Sequence, residues 1–247
     1  MKEIIKTEQL SFAYSPEAAA GKVLKELSFT VHTGERVGII GCNGVGKSTL
    51  LKLLLGIELS YEGELFICGL AMEKKNLAEI RRHAGYVFQD SDSQLFMATV
   101  FEDVCFAPLN YGCSAEEAEH RAMTALKSVH GEALAQKRAY QLSGGEKKLA
   151  AIAGVLAMEP ELLVMDEPSA ALDPANRQRL VDVLLGLPAA KVIASHDLDF
   201  IYDTCDRAIL LCDGRIAADG EAKDILRDEA LLKANGLMLP LSFSRGR

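Results

Sequence analysis

Paired cysteines are missing from this 247-residue chain: its six (Cys42, Cys68, Cys105, Cys113, Cys205, Cys212) are scattered, with no C-x-x-C pair. That spacing argues against a disulfide framework or a zinc site and favours free thiols in a reducing cytoplasm. Long apolar runs are missing too. Those at residues 50–55 and 208–212 fall far short of the roughly 20 residues a membrane-spanning helix needs. The opening MKEIIKTEQL has no positive segment followed by an apolar one, so no secretory signal is expected. Positive charge is in deficit. With 27 Lys and Arg against 35 Asp and Glu the net charge is −8, and nothing global draws the chain to nucleic acid or an anionic membrane. An anionic ligand must then be held by a local set of donors. The five histidines are dispersed, without the spacing of metal ligands. No linker rich in Pro, Gly or Ser divides the chain, and no internal repeat is visible.

What is present is an ordinary globular composition, 49% hydrophobic and 25% charged, long enough to bury a full core. Residues 8–14, 24–31 and 62–68 alternate apolar and polar positions and predict strands. Residues 36–40 (RVGII) form a nearly continuous apolar run ending in Gly41, which suits a buried parallel strand. Residues 48–55 predict a helix stopped by Gly56. Ser114 with Glu117, and Ser143 with Glu146, have capping-box spacing and predict two further helix starts, the second helix running to Pro160. Short apolar runs at 162–165, 191–194 and 208–211 predict buried strands, and Asp173-Pro174 is an N-cap followed by a first-position proline. Strands alternating with helices predict an α/β fold. The expected sheet is mostly parallel, with an antiparallel patch from the N-terminal third. One domain over 1–247 is expected, with a helical insertion at about 90–155 and a short tail at 226–247.

Gly41-Cys42-Asn43-Gly44-Val45-Gly46-Lys47-Ser48 matches G-x-x-x-x-G-K-[ST], with a buried strand before it and a helix after it. Its glycines let backbone N–H groups turn toward an anion, and the helix start adds positive partial charge. Lys47 supplies a point charge for the outer phosphates of ATP and the Ser48 hydroxyl a ligand for Mg²⁺. Residues 162–167 (LLVMDE) set Asp166 and Glu167 at the end of a buried strand, where open α/β sheets bind ligands. Asp166 suits the magnesium, directly or through water, and Glu167 suits the general base. A helix cap before the turn at Pro168 is the plainer reading of the pair. At Ser143-Gly144-Gly145 a second helix opens on two glycines, each weakening a helix by roughly 1 kcal/mol, which is poor design for a mere cap. It offers a second anion cradle. One nucleotide needs only one cradle in its own subunit, so the second is expected to grip a γ-phosphate bound by a neighbouring subunit.

These stretches, with Ser195-His196-Asp197 after a strand, resemble the ATP-binding cassette (ABC) ATPases over roughly residues 3–225. The resemblance implies a P-loop NTPase fold with a RecA-like, mostly parallel sheet, an N-terminal antiparallel β subdomain and a helical insertion. It implies that Asn43, Gly44, Gly46, Lys47, Ser48 and Thr49 contact ATP, with Tyr14 stacked on the adenine, although a lone aromatic is more often core packing. Ser48, Gln89 and Asp166 would hold Mg²⁺. Glu167, His196 and Gln89 would be the catalytic residues, Ser143, Gly144 and Gly145 would reach the nucleotide of a second copy, and Asp173, counted with the nucleotide-binding residues, matches the loop that communicates across the dimer.

Gln94-Leu95-Phe96 and the segment from Glu102 to Pro108 resemble energy-coupling-factor importers, which more often read Q-N-P-D-D-Q-L-F. Here 89–94 (QDSDSQ) lacks the proline, and Leu149 follows the lysines of the signature helix where an arginine is usual. Within those importers the cobalt and nickel members are most similar. The implied protein is an ATPase on the cytoplasmic face of a membrane. Its implied partners are a second copy of itself and integral membrane coupling and substrate-binding subunits, with no nucleic acid. A vitamin importer, an exporter motor and a soluble non-transport ABC ATPase are the alternatives.

Overall fold

The computed structural model describes residues 1–15 and 21–244; residues 245–247 of the expected tail lie outside the described residues. In chain order the first elements are β1 (Glu3–Phe12), β2 (Leu24–His32), β3 (Arg36–Ile40), α1 (Lys47–Leu54), β4 (Tyr61–Ile67), β5 (Leu70–Ala71), α2 (Leu77–His83) and β6 (Ala84–Val87). Then come α3 (Val100–Asn110), α4 (Ala115–Ser128), α5 (Gly144–Leu156), β7 (Leu162–Asp166), α6 (Pro174–Gly186), β8 (Ala190–Ala194) and α7 (Leu198–Thr204). The chain finishes with β9 (Arg207–Cys212), β10 (Arg215–Glu221), α8 (Ala222–Ile225), α9 (Glu229–Ala234) and α10 (Leu241–Ser244). Two units divide them: Met1–Ala84, Glu161–Glu167 and Ala189–Arg247 in the first, Gly85–Pro160 and Pro168–Pro188 in the second.

The first unit holds two sheets. One is antiparallel, in the order β2-β1-β4-β5. The other sets five of its strands in the order β10-β9-β3-β8-β7, with β3 parallel to β8 and β9, β7 parallel to β8, and β10 antiparallel to β9. Strands β3, β7 and β8 are buried almost throughout, which is why they are short apolar runs without alternation. In β3, a Cβ at Gly38 would stand 2.6 Å from Ile201 Cγ2, so the missing side chain lets α7 lie close. Register decides the rest. Ile39 and Asp166 both pair with Ala194, so β3, β7 and β8 end at one sheet edge, and the chain leaves it at Gly41, Glu167 and Ser195.

The second unit contains α3 to α6, and the insertion expected at 90–155 falls within it. Both Thr99–Glu102 and Ser143–Glu146 form complete capping boxes, starting α3 and α5, and Ser114 Oγ accepts from the Glu117 N–H at the start of α4.

Some bounds differ from expectation. Strand β1 begins at Glu3 and ends at Phe12, short of Tyr14. The adjacent isoleucines Ile4 and Ile5 are both buried, so both faces of the strand are covered there, and its register to β2 and β4 shifts around Gln9 (φ 50°), so strict alternation fails. Helix α5 stops at Leu156, before Pro160, and Glu159 then turns left-handed (φ 52°).

Candidate functional site

The loop after β3 has the backbone its glycines predict. Gly41, Gly44 and Gly46 have φ of +148°, +77° and +110°. A Cβ at Gly41 would stand 2.5 Å from the Leu211 carbonyl oxygen and one at Gly46 2.6 Å from Leu24 Cδ2, whereas nothing lies within 4 Å of Gly44. Two glycines therefore let the loop pass close to its scaffold, and the third leaves its surroundings open. Gly46 is the N-cap of α1 with no side-chain hydrogen bond, and no acidic residue stands in the first turn. The positive end of this helix is thus left uncompensated by the chain itself, which fits an anion. Lys47 is buried, and its Nζ donates to the carbonyls of Gly41 (2.7 Å) and Cys42 (3.3 Å). Burial pushes its ammonium below the usual lysine range, while Glu167 and Asp166 pull the other way.

Asp166 ends β7 beside this helix start. Burial raises its carboxyl, and a hydrogen bond from Ser48 opposes that. A hydroxyl and a carboxylate are hard oxygen donors, the set that suits Mg²⁺. Glu167 follows with φ +46°, a conformation that non-glycine residues rarely hold without reason. The reason is visible in its side chain, which is 12% exposed. One carboxylate oxygen accepts from Ser195 Oγ at 2.9 Å and meets His196 Nδ1 at 2.8 Å; the other accepts from the His196 backbone N–H at 3.0 Å. His196 itself is 66% exposed. Ser195, fully buried, also accepts from the Asp197 N–H at 3.1 Å, so it joins the carboxylate to the start of α7. The sequence placed the role on His196. The serine's part had no signal beyond standing next to it.

Tyr14 lies beyond β1, 57% exposed, its ring edge-on to Phe12 at 4.9 Å and its hydroxyl 3.1 Å from Thr49 Oγ1. This is an open aromatic face tied to the first turn of α1. The Cys42 thiol donates to the carbonyls of Asn235 (3.2 Å) and Gly236 (3.3 Å), which brings the segment after α9 to the loop.

The second unit carries the other predicted residues. Ser143 Oγ is used on the Glu146 N–H at 3.3 Å, and Glu146 pairs with Lys137 at 2.8 Å, which holds the Glu146 carboxyl below its ordinary value. Gly144 has nothing within 4 Å of a would-be Cβ, whereas Gly145 abuts Asn176. Asp173 caps α6, accepting from the N–H groups of Ala175 and Asn176 at 3.0 Å each and from the Asn176 side chain. Those bonds, the Asn176 N–H first, hold its carboxyl below the usual range. Gln89 is exposed just after β6, and its carbonyl accepts from Lys148.

A glycine loop at the end of a buried parallel strand, with a helix opening behind it and paired carboxylates ending a nearby strand, defines a P-loop nucleoside triphosphatase. The ABC transporter family model matches residues 24–170, and the chain belongs to that family as an ATP-binding, ATP-hydrolysing transporter subunit. It is 41% identical over 242 residues to the energy-coupling factor transporter ATP-binding protein EcfA of Methanocaldococcus jannaschii, covering 96% of this chain and 86% of that one. To the cobalt import ATP-binding protein CbiO of Rhodobacter capsulatus it is 42% identical over 246 residues, covering 98% and 87%. Among solved structures it is similar to CbiO1 of Clostridium perfringens, part of the ABC transporter complex CbiONQ. There the TM-score is 0.85 at 35% identity, over 95% of this chain and 94% of that one. No described helix is long and apolar enough to cross a membrane.

Proposed function

We propose that this chain is the ATPase of an energy-coupling-factor importer for cobalt or nickel ions, working as a homodimer on the cytoplasmic face of the membrane. The hydrolytic part rests on one observation: the Glu167 carboxylate, held by Ser195 and His196 immediately after the Asp166–Ser48 pair. The importer and its cargo rest on likeness to EcfA and CbiO.

In this reading the N–H groups of the loop and α1 bind the phosphates, together with Lys47, and Tyr14 and Thr49 border the nucleoside. Mg²⁺ held by Ser48 and Asp166, with Gln89 as a further oxygen, would offset the triphosphate charge. Glu167 takes the proton of the attacking water. His196 keeps Nδ1 on Glu167 and offers Nε2 to the γ-phosphate. Ser143, Gly144, Gly145 and Asp173 close on the nucleotide of the second copy.

A membrane subunit is supported by the second unit's surface. Phe96 and Phe106 meet edge-on at 4.8 Å, yet Phe96 is 63% exposed, and Leu109 is exposed on the same helix as Phe106. Asp103 accepts from the Phe96 and Met97 N–H groups, which fixes the segment that presents this apolar patch.

Glu167→Gln tests the reading with two measurements. Purified, the variant should bind ATP as the wild type does, accumulate as a dimer and lose about 10²-fold or more in turnover. In cells lacking the native chain it should fail to support uptake of labelled Co²⁺ or Ni²⁺. Wild-type turnover would remove Glu167 as the base, and undiminished metal uptake without the chain would remove the cargo.

A further inference from the structure

A lysine is buried where the second unit would be expected to hold an apolar side chain. Lys148 lies in α5 ahead of Leu149, Ala150, Ala151 and Ile152, all buried, and is itself 3% exposed. Among the described residues no carboxylate forms an ion pair with it. Its Nζ donates to the carbonyls of Phe88 (2.9 Å) and Gln89 (2.8 Å), the two residues that follow β6. So buried a position is poorly suited to a charge unless those two carbonyls need a donor. A leucine or methionine would fill the space and leave both carbonyls without their partner.

The rest of the loop is tied down in the same manner. The Gln94 side chain accepts from the Phe88 N–H at 2.9 Å and donates to the Tyr86 carbonyl at 3.1 Å. Asp90 caps a short turn at Ser91–Ser93, accepting from the Asp92 N–H at 3.0 Å and from Ser93 Oγ at 3.2 Å. Lys147, the neighbour of Lys148, pairs with Asp92 at 2.5 Å. Two consecutive lysines of α5 therefore grip the 88–92 segment, one by its main chain and one by a carboxylate. The same helix begins at Ser143, Gly144 and Gly145.

We infer that Lys148 is a positioning residue: it fixes the main chain at Gln89 to the helix that carries Ser143–Gly145, so that these two of the second unit's nucleotide-contacting groups move as one body. The inference rests on the reading of Gln89 and Ser143–Gly145 given above. A lysine suits this task because one ammonium has three donors on a flexible stem, enough for two carbonyls at different angles.

A double-substitution cycle on the full-length chain tests it, with Lys148→Met, Gln89→Ala and both together, measuring kcat, KM and ATP affinity. Lys148→Met should lower kcat about tenfold or more and leave ATP affinity within about twofold. In the Gln89→Ala background it should add little, because the group it positions is gone. Lys148→Arg, which still donates to both carbonyls, should recover most of the lost turnover. Full additivity with Gln89→Ala would make Lys148 a packing residue and overturn the inference. Wild-type kcat in Lys148→Met beside an impaired Gln89→Ala would also overturn it while leaving the role of Gln89 intact. Unimpaired Gln89→Ala would overturn both. Should methionine at 148 prevent folding, Lys148→Leu, which likewise fills the space without a donor, enters the same cycle with the same outcomes.

Discussion

A methyl group at position 145 would stand 2.3 Å from Cγ of Asn176, whose amide nitrogen bonds the Asp173 carboxylate. Gly145→Ala therefore cannot be accommodated without moving Asn176 and loosening the cap of α6, although alanine is the better helix former by roughly 1 kcal/mol. The expected result is a chain destabilised by about 1–3 kcal/mol. Adding Asn176→Ala should return most of that loss, since it removes the atoms in the way. Urea unfolding of the two single variants and the double decides it: additive losses would show that the clash is not with Asn176. The same residue shows where sequence reading stops. The glycine pair pointed by sequence to an anion cradle, and nothing lies within 4 Å of a would-be Cβ at Gly144, but Gly145 serves to admit a side chain from α6, which that reading did not include. Spacing along one helix holds no information about a neighbour some thirty positions on.

At the scale of elements, β3 was legible to the residue because its apolar run is bounded by a charged residue and a glycine. The α5 start was legible because its capping box is local chemistry. Helix α3 was not, although Thr99 and Glu102 form the same box, because Pro108 inside it looks like a breaker. The proline stands two residues before the helix end, so the one i→i−4 bond that its missing N–H forgoes lies in the last turn and little helix follows it. Strand β8 shows a different limit. Its apolar run was seen, but all five residues are buried, including Lys191 at 1% exposure, with Nζ bonded to the Ala189 carbonyl at 2.8 Å. Burial, and then Arg36, push that ammonium from 10.5 to about 8. Below pH 8 the folded strand holds a buried charge. Between about 8 and 10.5 the folded chain gives up this proton before the unfolded one does, so its stability rises with pH. Lys191→Met removes the dependence. The stability of the wild type relative to that variant should rise by about 1 kcal/mol from pH 7 to pH 9. A difference that stays flat across that range would mean that Lys191 is neutral or solvated at pH 7.

For the molecule as a whole, the predicted chemistry is divided. Tyr14, the phosphate loop, Asp166, Glu167 and His196 belong to the first unit, and Gln89, Ser143–Gly145 and Asp173 to the second. The order of motifs along the chain conceals this, because the second unit is assembled from two separate segments. Under the homodimer proposed here, each nucleotide is served by the first unit of one copy and the signature residues of the other, and the division has a genetic consequence. A chain carrying Lys47→Met and a chain carrying Ser143→Arg should each be inactive alone. Mixed, they form hybrids in which one of the two composite sites inherits both defects and the other inherits neither. With random pairing about half of the dimers are hybrids, so roughly a quarter of wild-type turnover should return. Two null alleles of one gene would then rescue each other in the same cell, and their failure to do so in vitro would mean that each chain completes its own site.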